Sequence, residues 1–219
     1  MSVEKTDKNI GIIVAKVISI CMSLVLVGFI VGDLVNGNST DKILAYSCTS
    51  ICYLFPILIM LIFKVKLPLL VYFVYLIFLT ISAFGGTCLN LYDKVNNLDK
   101  VVHFLWGYIA CIIAIFILCC TKDIHKIKPI TLFVAFLAIS LATASIWEII
   151  EFFSDKVLGQ TAQGEPINGI TPVDDTMFDT ICHLCGTIIF SLQFWLEKLT
   201  RKNLGVKSMI ISFNNTFKK

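Results

Sequence analysis

The chain has 219 residues, of which 57% are hydrophobic and 15% charged, with a net charge of +3 and a mean hydropathy of +0.86. A soluble domain carries about 25% charged residues, so the composition excludes an ordinary water-soluble protein and points to a polytopic membrane protein whose apolar surface faces lipid. The lysines are scattered between apolar segments and not gathered on one face, which excludes nucleic acid as a partner.

Residues 1–9 are polar and carry Lys5 and Lys8. The first expected span is 10–31, too long for the apolar core of a cleavable leader. Lys16 lies near its start, close enough to snorkel back to the interface. The turn-rich loop 32–42 leads to a second span, 43–63, with Pro56 inside it as an expected kink. A short KVKLP connection leads to the third span, 67–92, whose length argues for a lipid-crossing helix despite its aromatic and β-branched residues. After loop 93–100 comes the fourth span, 101–120, then loop 121–128 with a solvated His125. The fifth span is 129–153, with Pro129 in its first turn, where its missing N–H does no harm. The loop 154–174 is the longest and holds Gly159, Gly164, Pro166, Gly169 and Pro172. That length suggests a lid or binding loop. The sixth span is 175–196, and 197–219 form a basic tail whose SMIISF segment is expected on the membrane surface.

The expected fold is all-α: one transmembrane domain over 1–219 with six transmembrane helices. The N-terminus, the loops 64–66 and 121–128 and the tail together carry 13 Lys/Arg, against 4 in the loops 32–42, 93–100 and 154–174. By the positive-inside rule both termini are cytoplasmic and loop 154–174 faces outward. The nine cysteines fall mostly in apolar segments and read as small packing residues. The pair Cys182/Cys185 forms a CxxC with no second pair, a weak motif for zinc or redox chemistry.

Ionisable side chains inside lipid-crossing segments are costly and mark functional sites. Glu148 and Glu151 sit in the outer end of span five. Asp175, Asp179 and His183 recur every fourth residue at the head of span six. Asp99 and His103 do the same at the head of span four. Residues three or four apart share a helix face, and a rise of about 1.5 Å per residue puts all seven in one outer-leaflet slab. Ser140, Ala142, Thr143, Ala144 and Ser145 before the glutamates allow close helix approach, as do Gly107 and Gly186 on the neighbouring helices. Carboxylates and imidazoles converging from adjacent helices suit a divalent metal, with Zn, Mn or Fe for a mixed oxygen and nitrogen set and Mg for mostly oxygen. The expected ligands are His103, Glu148, Glu151, Asp179 and His183, with Asp99 and Asp175 at the rim. Glu148, Glu151 and His103 also suit general acid–base catalysis.

Plainer roles stand beside these. Asp99 and Asp175 are as well placed for N-capping as for function. His103 alone suits a packing hydrogen bond, and Asp179 with His183 an interhelical pair. Trp106, Tyr108 and Trp147 suit interface anchors as well as substrate contacts.

DKVVHFLWGY (99–108) resembles the D-K-x-x-H-F opening of a VanZ-like helix. DDTMFDTICHLCGTIIF (174–190) resembles that group's D-x-x-x-D-x-x-x-N-x-x-G helix, with His183 at the Asn position. WEIIEFF with the following LGQ…DDTM loop is similar to YjdF-type inner-membrane proteins. The resemblance covers roughly residues 90–195 and marks Asp99, His103, Glu148, Glu151, Asp175, Asp179 and Gly186. It implies an integral protein of the bacterial inner membrane. The VanZ group's association with resistance to a glycopeptide acting at the outer face implies an outward site. Three functions follow as expectations: a site acting on or binding an amphiphilic lipid or lipid-linked envelope precursor; a proton- or cation-coupled transporter; and a non-catalytic membrane interaction protein. Membrane lipids are the expected surroundings, and six spans of this size suit a monomer or a homo-oligomer.

Overall fold

The computed structural model describes residues 2–37, 40–64, 67–121, 124, 127–159, 161–164 and 171–217. His125, residue 160 and residues 165–170 lie outside these, and with them much of the expected lid. Among the described residues the chain is helical throughout and has no strand. Six helices are long and apolar enough to cross a membrane: Asn9–Asn36, Lys42–Ile62, Leu69–Cys88, Leu98–Cys119, Pro129–Val157 and Pro172–Thr200. The described residues form two compact units, one within 2–98 and one within 99–217.

The first unit contains α1 (Ser2–Asn36), α2 (Thr40–Ile62), α3 (Leu69–Leu79) and a short α4 (Leu91–Lys94). Helix α2 runs on through Pro56. The core of this unit includes Leu26, Leu76 and Leu79 with the fully buried Tyr53 and Tyr72. In a lipid-facing bundle each buried hydroxyl needs a partner. Tyr72 meets Ser19 at 2.9 Å, Tyr53 meets Thr80 at 2.8 Å, and Ser23 meets Ser50 at 2.6 Å. Each such interhelical bond contributes roughly 0.6 kcal/mol.

The third span departs from a single regular helix. Its α-helical part stops at Leu79, and Thr80–Cys88 is wound as a π-helix. Local chemistry accounts for the change. The Thr80 and Ser82 hydroxyls donate back to the carbonyls of Leu76 and Phe78, both at 2.8 Å, which bends helices. Gly86 leaves room for the Tyr92 ring; a Cβ there would stand 2.3 Å from it. Asn90, in the left-handed region at φ 53°, ends the segment.

The second unit contains α5 (Leu98–Thr121), α6 (Pro129–Leu158), α7 (Pro172–Thr200) and α8 (Val206–Phe217). Helix α6 runs five residues past the expected end of span five, to a left-handed Gly159 at φ 65°. Helix α7 starts three residues early, at a capping box made by Thr171 and Asp174. The cap is therefore Thr171, and Asp175 is free for another role. On α6, the buried residues Leu132, Phe136, Ser140, Ala144 and Glu148 form one stripe with a period of four. Phe136 and Tyr108 both pack edge-on against Phe190.

The basic tail is more than a surface segment. Val206, Met209, Ile210 and Phe213 of α8 are buried, with the Phe213 ring edge-on to Phe116 of α5. The buried Glu197 carboxylate accepts from the amides of Leu204, Val206 and Lys207 at 2.9, 3.0 and 2.5 Å. It thereby satisfies the first free N–H groups of α8 and sits at the positive end of its dipole.

Candidate functional site

Helices α5 and α7 meet through their glycines. A Cβ on Gly107 would stand 1.9 Å from the His183 carbonyl oxygen, and one on Gly186 would stand 2.0 Å from that of Phe104. No side chain fits at either position, so the two backbones touch. Thr187 bridges the three helices: its hydroxyl meets that of Ser140 on α6 at 2.5 Å and reaches the Gly107 carbonyl on α5 at 3.4 Å. Phe104, one turn before Tyr108, and His103 beside it are thereby fixed against α7.

Above this seat, toward the loop 159–171, the ionisable residues converge. His103 is 4% exposed, Glu148 7%, Asp179 1% and His183 0%. From the shared end of the bundle, His103 lies about 8 Å along α5, Asp179 and Glu151 about 10 Å along α7 and α6, and Glu148 about 15 Å. Two groups emerge, and the imidazole of His103 stands between them.

The first group centres on Lys100. Its ammonium donates to Asp99 Oδ2 at 3.1 Å and Asp175 Oδ1 at 2.5 Å, and pairs with Asp179 Oδ1 at 2.8 Å. His103 Nε2 faces the same group, 3.5 Å from Asp99 Oδ1 and 3.9 Å from Asp179 Oδ1. The second group is Glu148 and Glu151. His103 Nδ1 is 3.9 Å from Glu148 Oε1. Glu151 accepts the indole N–H of Trp147 at 2.6 Å. Both oxygens of Glu148 are buried without a well-formed hydrogen bond, with the Thr176 hydroxyl of α7 standing beside them. Ligand atoms of Asp99, His103 and Asp179 lie within 4.8 Å of one another, and so do those of His103, Glu148 and Glu151.

Six of the seven residues singled out in the sequence therefore stand in one cluster. His183 does not join either group. It lies one turn deeper, with both ring nitrogens buried and without hydrogen-bond partners, beneath the carbonyl that abuts Gly107. Lys100 was missed, although a lysine next to Asp99 at the head of an apolar span was a readable signal. Trp147 was read as an interface anchor or substrate contact, and it also holds Glu151.

The described part of the loop leans on the α7 end of the cluster. Asp155 accepts from the amides of Ala162 and Gln163 at 2.6 and 3.0 Å, and the Gln163 amide donates to Thr176 at 3.0 Å. Gly164, at φ 76°, lies beside the Asp175 carboxylate.

Five carboxyl groups face one lysine and one histidine here, so acidic groups outnumber basic ones in the cluster. Residues 104–119, 130–147 and 184–196 contain no Asp, Glu, Lys, Arg or His. The cluster lies at one end of the three helices, separated by these stretches from Glu197 and Lys198 at the other end of α7.

Residues 17–198 match the family described as "Predicted membrane protein (DUF2238)". The chain belongs to that family. The match includes all four long helices that lie wholly inside it and every residue of the cluster. An uncharacterised protein of Thermotoga maritima is 32% identical over 116 residues, 53% of this chain and 57% of that protein. This chain thus spans little more than half the length of that relative. No solved structure matches the chain. Membership in this family and six lipid-length helices place the protein in a membrane as a multi-pass protein.

Proposed function

We propose that this protein acts on, or binds, an amphiphilic substrate of the cell envelope, a lipid or lipid-linked precursor, at the cluster formed by α5, α6 and α7. The observation that carries the reading is Glu148, a carboxylate 93% buried within a lipid-length helix, whose oxygens lack a well-formed hydrogen bond and whose basic neighbour, His103 Nδ1, is 3.9 Å away. A buried acid held this loosely is expensive. Glu148 and His103 are the acid–base pair of this reading. Asp99 orients the imidazole through Nε2 and leaves Nδ1 turned to Glu148. Asp175, Asp179 and Lys100 form the wall. The lipid-facing sides of α6 and α7 offer the substrate's apolar part a route from the bilayer.

The orientation belongs to the same proposal. The excess of Lys/Arg on one set of loops supports cytoplasmic termini and a cluster in the outer leaflet of the bacterial inner membrane. The VanZ-like pattern in residues 99–108 and 174–190 points the same way, since the VanZ group is associated with an outer-face target. The long stretches without ionisable side chains beyond the cluster favour chemistry at a leaflet over transport across it.

The test is the envelope-lipid profile of a host lacking the gene, complemented with wild-type protein or with Glu148→Gln. Loss of the gene should change at least one lipid or lipid-linked species, and only the wild type should restore it. An unchanged profile on deletion, or equal restoration by Glu148→Gln at matched membrane levels, overturns the reading.

A further inference from the structure

We infer that the cluster holds one divalent cation, and that it sits among His103, Glu148 and Glu151, because Lys100 already fills the neighbouring acidic group. This rests on the proposed function in taking the cluster as functional, and with the ion bound it makes Glu148 and His103 ligands in place of an acid–base pair.

Two sets of three residues bring ligand atoms within 4.8 Å, and they are not equivalent. In the set Asp99, His103 and Asp179, the Lys100 ammonium lies 3.1 Å from Asp99 and 2.8 Å from Asp179. A second cation there would face a fixed positive charge at contact distance. The set His103, Glu148 and Glu151 has no such occupant. Its Glu148 carboxylate is 93% buried, and neither oxygen has a well-formed hydrogen bond, the Thr176 hydroxyl beside it falling short of one. Two acids one helical turn apart in lipid repel one another unless a proton or a cation joins them. Glu148 and Glu151 are in that position, and among the described residues the basic group that joins them is His103.

The histidine is arranged for ligation. A metal-binding histidine turns one nitrogen to the metal and gives the other ring N–H to a carboxylate, which fixes the ring. Here Nε2 faces Asp99 and Asp179, and Nδ1 faces Glu148. Ligands about 2.0–2.2 Å from a tetrahedral ion lie about 3.3–3.6 Å from one another, so binding draws the set inward by up to about 1.5 Å. One imidazole and two carboxylates suit Zn or Mn better than Mg or Ca. The five carboxyls would repel a phosphorylated head group, and a cation at this position would reverse that locally.

The experiment uses the full chain purified in detergent, stripped with chelator and titrated with Mn2+, followed by the loss of the free-ion paramagnetic resonance signal; Zn2+ competes for the same sites. One equivalent should bind. Glu148→Gln and Glu151→Gln, nearly isosteric and checked for monodisperse elution, should lose stoichiometric binding. Asp99→Asn should bind about 10- to 100-fold more weakly, as expected of an orienting partner. Asp179→Asn should retain one equivalent. No binding by wild type, or binding lost in Asp179→Asn and kept in Glu148→Gln, overturns the inference. The functional reading fails separately: absent metal with a lipid profile that still depends on Glu148 removes only the cation, and bound metal with an unchanged profile removes only the substrate.

Discussion

Remove the Lys100 ammonium and Asp99, Asp175 and Asp179 are left facing one another with no cation between them. Breaking one partner out of a buried ion pair costs about 3 kcal/mol, so Lys100→Ala should lower the melting temperature in detergent markedly. Added Mn2+ should raise it again by occupying the aspartates, whereas the wild type should gain only what its own site supplies. A thermal-shift measurement with and without the ion checks both. Asp99, His103, Glu148, Glu151, Asp175 and Asp179 were legible in the sequence because lipid makes ionisable side chains conspicuous, and because spacings of three and four assign them to faces. Their division into two groups was not legible. It depends on which way a flexible lysine turns, and spacing along one helix carries no information about that. His183 followed the same spacing as Asp179, yet it lies a turn deeper, where the close approach of α5 leaves its ring no polar partner.

At the level of helices, the seat between α5 and α7 makes the sharper forecast. Gly186→Ala drives a Cβ into the Phe104 carbonyl oxygen and Gly107→Ala drives one into that of His183. Neither neighbour is a flexible side chain, so the helices must part. Overpacking of this kind costs about 1–3 kcal/mol, and either variant should lose thermal stability and should also weaken Mn2+ binding by displacing His103. Gly32→Ala is the contrast. Nothing lies within 4 Å of a Cβ there, and the change should be neutral or slightly stabilising. The two glycines were named from sequence as places of close approach, because small residues serve that purpose in membranes. The π-helical end of the third span was not foreseen. Its causes, hydroxyls that bond back to the preceding turn and a glycine that admits Tyr92, act through three-dimensional contacts. The packed face of α8 was also missed, since its anchor is Glu197, nine residues before the helix begins.

For the molecule as a whole, six crossings would leave both ends of the chain on the same side of the membrane. If that side is the cytoplasm, a C-terminal green fluorescent protein fusion should fluoresce and a C-terminal alkaline phosphatase fusion should be inactive in bacterial cells. The reverse pair of results would put the charged cluster at the inner leaflet. The number of spans was legible because hydropathy and length decide it together. The helix ends were off by a few residues, since polar caps such as Thr171 and Gly159 carry a helix beyond its apolar stretch. The six spans also differ in how readily they enter lipid. Helix α7 has a mean hydropathy of 1.3, against 1.9 to 2.6 for the others, and it brings Asp175, Asp179 and His183 with it. Its counter-charge, Lys100, and its backbone seat, Gly107, both lie on α5, which leaves the ribosome some seventy residues earlier. The order of synthesis therefore matters. The last span of the chain meets a bilayer in which its acceptor helix is already installed, and its entry is an act of assembly as much as of partition.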